Sequence, residues 1–110
     1  MLDEIEFRNH SDEALLTLKN ALMDAEEDGG FEAEEQNGVL NVLFPHGTKF
    51  VFTPNSPVRQ IWISARTTSF KLDWDEATGA FVLPKTGENL LTLTARLLRE
   101  QTGNADITLA

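Results

Sequence analysis

The chain has 110 residues, a length that fits a single domain, residues 1–110, with one hydrophobic core. It contains no cysteine, which excludes disulfide bonds, thiolate metal sites and a cysteine nucleophile. The net charge is −9, and twelve of the eighteen Asp and Glu residues lie in positions 1–35, together with only two basic residues. Nucleic acid and anionic membranes are therefore poor partners for this acidic segment. Cations and basic protein patches are good partners for it.

The first predicted element is a long acidic helix over residues 3–28. Asp3 can cap its N-terminus, and Glu6, three positions later, completes a capping box. The apolar residues that recur at helical spacing and predict its buried face are Phe7, Ala14, Leu15, Leu18, Ala21, Leu22 and Ala25. The glycine pair at positions 29 and 30 predicts the end of the helix.

Six strand-like segments follow the helix. They are predicted over residues 31–36, 39–44, 49–53, 59–64, 70–74 and 80–83. The Asn37-Gly38 pair is typical of a tight hairpin between the first two strands. Pro54 and Pro57 are expected to break the chain between the third strand and the fourth.

A second helix is predicted near the C-terminus. It begins at Thr86-Gly87-Glu88, is rich in leucine and ends at Gly103. Because strands joined by short turns favour antiparallel pairing, the expected fold is α+β. We predict a two-layer sandwich in which an antiparallel sheet of about six strands carries the N- and C-terminal helices on one face.

Carboxylates crowd the junction between the first helix and the first strand. Seven of them, called here the acidic ridge, are candidate metal ligands: Asp24, Glu26, Glu27, Asp28, Glu32, Glu34 and Glu35. Oxygen ligands without imidazole or thiolate suit hard cations such as iron, Mn²⁺ and Ca²⁺, and predict weak, exposed and poorly selective sites. Acidic residues near a helix C-terminus interact unfavourably with the helix dipole and so reduce stability. Their presence despite this cost favours a functional role for them. From these residues alone, a solvated acidic face that only aids solubility stays open as the alternative.

The fourth strand carries a candidate partner surface. Trp62 alternates with Ile61 and Ile63, and side chains alternate between the two faces of a strand. If the isoleucines face the helices, Trp62 and Gln60 face solvent, where an exposed tryptophan is a plausible protein-binding residue. The alternative is an ordinary core tryptophan. Trp74 is assigned to packing of the hairpin that follows.

No targeting or membrane-spanning signal is visible in the sequence. The first residues lack both a basic segment followed by an apolar run and an arginine-rich, acid-poor composition. No apolar run approaches the roughly 20 residues needed to cross a bilayer. We therefore expect a cytoplasmic protein.

Motifs along residues 3–103 together resemble the bacterial, CyaY-like branch of the frataxin family. Besides the acidic first helix they are Asn37–Leu40, Pro57–Trp62, Leu72–Trp74, Gly79–Val82, and Thr86–Glu88 before the leucine-rich helix. Two departures stand out. Thr53 stands where family members usually have Asn, and Lys19, Asn20 and Met23 stand where related bacterial proteins carry carboxylates. The ridge is thus concentrated in residues 24–35.

The resemblance implies both a fold and a function. Members of the family fold as a sandwich of two helices on an antiparallel sheet. They bind iron through carboxylates on the first helix and the first strand. They contact a cysteine desulfurase and the iron–sulfur scaffold protein, and they modulate cluster synthesis. The resemblance therefore favours a functional ridge, and a partner surface at Gln60 and Trp62. We expect a non-enzymatic protein that binds Fe²⁺ or Fe³⁺ weakly and donates iron or regulates cluster assembly, as a monomer that could oligomerise with iron. A ferroxidase-like enzyme that stores iron, and a metal-free acidic interaction module, are the alternatives.

Overall fold

Six strands in sequence order form one antiparallel sheet, preceded and followed by a helix. The computed structural model describes residues 2–109, so Met1 and Ala110, the two ends of the predicted domain, lie outside the described residues. The elements are α1 (Glu4–Gly29), β1 (Glu32–Gln36), β2 (Val39–Leu43), β3 (Lys49–Asn55), β4 (Gln60–Ala65), β5 (Thr68–Asp75), β6 (Ala80–Val82) and α2 (Leu90–Thr102). The predicted α+β sandwich is confirmed.

The N-terminus of α1 carries the predicted capping box. The Asp3 carboxylate accepts a hydrogen bond from the Glu6 amide at 2.8 Å, and the Glu6 carboxylate accepts one from the Asp3 amide at 3.3 Å. The bond from the Glu6 amide holds the pKa of Asp3 below its ordinary value. Leu2 and Phe7, on either side of the cap, are both buried and form a hydrophobic staple.

The core lies between the helices and one face of the sheet. Its largest fully buried side chains are Phe7, Phe50, Phe52, Phe81, Leu18, Leu22, Leu40, Ile61, Ile63, Leu72, Leu93 and Leu98. The strand residues among them alternate with more exposed ones, as expected for a sheet covered on one face. None of the helices described between residues 2 and 109 is both long and apolar enough to cross a membrane.

Strand β3 is longer than the prolines suggested. It continues through Pro54 to Asn55, and only then does a 3₁₀ turn, Ser56–Val58, lead to β4. Pairing with β2 covers Lys49 to Phe52, whereas pairing with β4 continues to Asn55. Proline is tolerated at position 54 because β3 is paired on only one side beyond Phe52, as an edge strand is.

Helix α2 begins later than the Thr86-Gly87-Glu88 motif predicted. Its cap is Asn89, whose side chain accepts a hydrogen bond from the Thr92 amide at 2.8 Å. Asn89 also forms a bridge to Val82, and the Leu83 amide donates to the Glu88 carbonyl. The residues before the cap therefore extend the sheet edge instead of the helix. The end at Gly103, with φ 72°, is as predicted.

Candidate functional site

Two glycines turn the chain sharply between α1 and β1. Gly30 has φ 70°, a left-handed conformation that costs glycine little. Gly29 is buried against the Phe31 ring, and a Cβ atom at position 29 would lie 2.2 Å from Phe31 Cε2. The short connection brings the last turns of α1 beside β1, which is why the two halves of the acidic ridge are neighbours in space.

Glu26 joins the two halves directly. Its backbone carbonyl accepts hydrogen bonds from the Gly30 amide at 2.9 Å and the Phe31 amide at 3.4 Å. Its side-chain carboxylate accepts one from the Ala33 amide of β1 at 3.0 Å. Glu26 is half-buried, unlike the other six ridge residues, which are exposed.

The ridge carboxylates of β1 divide between the two faces of the sheet. Glu32 pairs with Leu43 and Glu34 with Asn41, so these two side chains share the open face, as the strand alternation predicts. Glu35 pairs with the buried Leu40 and therefore lies on the helix side. The seven carboxylates thus line the junction without sharing one surface.

The ridge is an open field of negative charge and contains no enclosed metal centre. Across residues 2–109, no group of three or more His, Asp or Glu side chains is placed to hold a metal ion together. The last turn of α1, which the structure describes in full, contains no basic residue to offset its acids. The donor set, all carboxylate, suits hard cations that keep much of their hydration.

A groove of about 530 Å³ lies beside the α1 half of the ridge. Asp24 and Asp28, one turn apart, line it together with Asp106 and the buried Ile107 of the C-terminal segment. Asp106 has no recognisable signal in the sequence, because only the docking of the segment after α2 brings it to this end of α1. The Arg99 guanidinium holds that segment in place by donating to the Ile107 carbonyl at 3.0 Å.

The open face of β4 carries Trp62. The indole is 38% exposed, whereas Ile61 and Ile63 are 0% and 1% exposed, which confirms the predicted facing of the strand. Its Nε1–H donates to Gln60 Oε1 at 2.8 Å. Thr53 and Lys71 are its neighbours on the adjacent strands, and the Lys71 ammonium lies 4.9 Å from the indole centroid.

Asp73 completes this surface and was not identified as a site residue from the sequence. Gln60 Nε2 donates to Asp73 Oδ1 at 2.7 Å, so that a chain of hydrogen bonds runs from Asp73 through Gln60 to the Trp62 indole. Asp73 pairs with Gln60 across β4 and β5. Strand alternation combined with the register would have found it, but the sequence alone does not give the register.

Trp74 packs as expected. Its ring stacks on His10 with a centroid distance of 4.1 Å and an interplanar angle of 23°, and contacts the Phe81 ring edge-on at 5.2 Å. Phe81 is buried and meets Phe7 in turn. Trp74 therefore ties the β5–β6 hairpin to α1.

Comparison with known proteins gives consistent matches. The family model described as the frataxin-like domain matches residues 1–104. The iron–sulfur cluster assembly protein CyaY of Ectopseudomonas mendocina is 33% identical over 87 residues, which is 77% of this chain and 79% of the relative. The protein of the same name from Azotobacter vinelandii is 35% identical over 88 residues, 78% of this chain and 80% of the relative. Among solved structures, frataxin from Psychromonas ingrahamii superposes with a TM-score of 0.81 at 16% identity, over 98% of this chain and 96% of that one, a likeness of fold.

Proposed function

Because this chain belongs to the frataxin family, we propose that it acts in iron–sulfur cluster assembly, where it binds iron at the acidic ridge and presents the ridge and the open sheet face to protein partners. The names of the CyaY relatives support the role in cluster assembly. The observation that carries the iron-binding proposal is the run of exposed carboxylates at the α1–β1 junction, next to a helix end without a basic residue.

The expected iron site is weak and exchangeable. Asp24, Glu27 and Asp28 project from α1, while Glu32 and Glu34 project from the open face of β1, so one ion can reach only a few of them at once. An ion held by one or two carboxylates keeps most of its water ligands and can leave quickly. That chemistry suits a protein that donates iron or senses it, and does not suit permanent storage. We propose a binder and not an enzyme.

The ridge also suits a basic protein surface. An exposed anionic strip attracts Lys- and Arg-rich patches and raises the rate of encounter with them. We propose that it docks the cysteine desulfurase implied by the family resemblance. Iron and that partner then compete for the same carboxylates, so that iron loading would change the strength of the complex.

The open sheet face is the proposed contact for the iron–sulfur scaffold protein. The Trp62 indole offers a large apolar area and is already oriented by Gln60, which Asp73 holds in turn. A partner that covers it loses little conformational entropy, because the side chain is ordered beforehand. Thr53 lies opposite Trp62 on β3 and extends the same surface.

Reconstituted cluster synthesis tests this function. The assay contains a cysteine desulfurase, a scaffold protein, cysteine and variable Fe²⁺, with and without this protein. We expect the wild type to change the rate in an iron-dependent way. The variant Asp24→Asn/Glu27→Gln should lose that dependence, whereas Asp12→Asn/Glu13→Gln, which removes the same charge from the N-terminal half of α1, should retain it.

Equal behaviour of the two double variants would contradict the ridge assignment. Two further readouts separate the alternatives. Absence of Fe²⁺ uptake at physiological salt would leave a metal-free interaction module. Oxygen consumption with turnover per bound iron would show a ferroxidase.

A further inference from the structure

Strand β1 is paired along one side only, with β2. It is the first strand of the sheet order and lies at the sheet edge, and four of its five residues are exposed. Ala33, at its second position, is partly buried and packs against the core. The Ala33 amide donates to the Glu26 carboxylate and so does not serve the ladder to β2. An edge strand presents unpaired N–H and C=O groups on its outer side, and a hydrogen bond to one of these groups helps to fix that side of the strand.

Glu26 provides such a bond and is already engaged by it. Its carboxylate accepts the Ala33 amide at 3.0 Å, while its backbone carbonyl accepts two amides of the turn. A hydrogen bond to a charged acceptor is stronger than one between neutral groups. A cation bound to this carboxylate would compete with the Ala33 amide for its charge. The adjacent Glu27 is exposed and free of this conflict.

We infer that Glu26 is a positioning residue of the acidic ridge and not one of its iron ligands. By fixing Ala33 it holds the flanking Glu32 and Glu34 at the junction of β1 with the end of α1. The inference rests on the proposed iron-binding function. It leaves six of the seven ridge carboxylates as candidate iron ligands. The chemical requirement at position 26 is then a hydrogen-bond acceptor, and the negative charge is secondary.

Glutamine and alanine variants separate the two roles. Glu26→Gln keeps a carbonyl oxygen that can accept the Ala33 amide but removes the charge, whereas Glu26→Ala removes both. Glu13→Gln and Glu13→Ala are the matched controls, with the same charge change at an exposed residue of α1 outside the ridge. Each variant is titrated with Fe²⁺ under anaerobic conditions by calorimetry, and exchange of the Ala33 amide is followed by NMR in the metal-free protein.

We expect Glu26→Gln to bind Fe²⁺ as well as Glu13→Gln does, with Ala33 exchange close to that of the wild type. Glu26→Ala should bind Fe²⁺ about tenfold more weakly than Glu13→Ala, because a residue that orients ligands is missing. Its Ala33 amide should exchange about tenfold faster. Rescue of both properties by glutamine is the signature of positioning.

The opposite pattern overturns the inference. If Glu26→Gln loses as much affinity as Glu26→Ala and far more than Glu13→Gln, then Glu26 is a ligand. If Glu26→Ala and Glu13→Ala bind equally, the bond to Ala33 has no influence on the ridge. Should Glu26→Ala fail to fold, the isosteric glutamine pair still decides. If the wild type binds no Fe²⁺, the proposed function fails and the ligand-placing role with it, while the Ala33 exchange rates still report whether Glu26 holds β1.

Discussion

At the scale of single residues, the alternation along β4 decides what each side chain does. Ile61 and Ile63 are buried under the helices, and Trp62 between them lies on the open face, bonded to Gln60. This arrangement was predictable, because the period of a strand is two and two isoleucines outweigh one tryptophan in choosing the buried face. The bond from Gln60 to Asp73 was not, since it depends on the register between β4 and β5.

Truncation of neighbouring residues on β4 should therefore have very different effects. Trp62→Ala is expected to lower the free energy of unfolding by less than about 1 kcal/mol, since it removes a half-exposed ring, whereas Ile61→Ala should cost about 2–4 kcal/mol by leaving a core cavity. Urea denaturation of the two variants measures both values. The Trp62 variant should also weaken scaffold binding while Fe²⁺ binding is unchanged. Unfolding of the Trp62 variant together with a stable Ile61 variant would show that the strand facing is inverted.

At the scale of elements, the two helices differ in how their ends are charged. Helix α1 ends among acids, against the direction that its dipole favours. Helix α2 has Arg99 in its last turn, and Arg96 in its middle donates two hydrogen bonds of 2.9 Å each to Glu88, which precedes the helix. The stability of α1 is thus reduced by its own surface charge, while that of α2 is supported by an ion pair.

Removing charge from the end of α1 should stabilise the metal-free protein. Asp24→Asn with Glu27→Gln relieves both the unfavourable interaction with the dipole and the repulsion between neighbouring carboxylates, each worth a few tenths of a kcal/mol to about 1 kcal/mol. The melting temperature at low salt should rise, and the gain should shrink at high salt through screening. A fall in melting temperature at low salt would show instead that these side chains make bonds that the fold needs.

The ion pair between Glu88 and Arg96 predicts that the stability of the fold depends on pH. The hydrogen bond from Arg96 holds the pKa of Glu88 below its ordinary value of 4.5. Since the folded state binds this proton less readily, the stabilisation is complete above pH 4.5 and is lost as the pH falls through the lowered value. Glu88→Gln should therefore melt below the wild type at pH 7, and the two melting curves should converge in acid. Glu100→Gln, which removes an exposed partner of the same arginine, is the control with a smaller effect. A Glu88 variant that matches the wild type at pH 7 would argue against a stabilising pair.

At the scale of the whole molecule, the distribution of charge follows the topology. The acidic third of the sequence forms α1 and β1. Helix α1 contacts the β5–β6 hairpin near its N-terminus, where His10 stacks on Trp74, and its acidic last turns reach the edge strand β1, while Lys71 and the Trp62 surface lie on strands further along the sheet. The fold class and the position of the acidic ridge at the α1–β1 junction could both be predicted, because they follow from local patterns in a chain of short connections. Three features could not be predicted, because each depends on which strand or helix is adjacent in the folded protein. They are the extension of β3 past Pro54, the start of α2 at Leu90 and the approach of Asp106 to Asp24.

The central claim is that iron binds first at the junction of α1 and β1. The direct test is an anaerobic Fe²⁺ titration of the wild-type protein, followed residue by residue through its backbone amide NMR signals. We predict that the first signals to broaden or shift belong to residues 24–35, with the Trp62 indole signal unchanged at the same iron ratio. First effects around His46, or equal effects over the whole surface, would contradict the assignment of the ridge as the iron site.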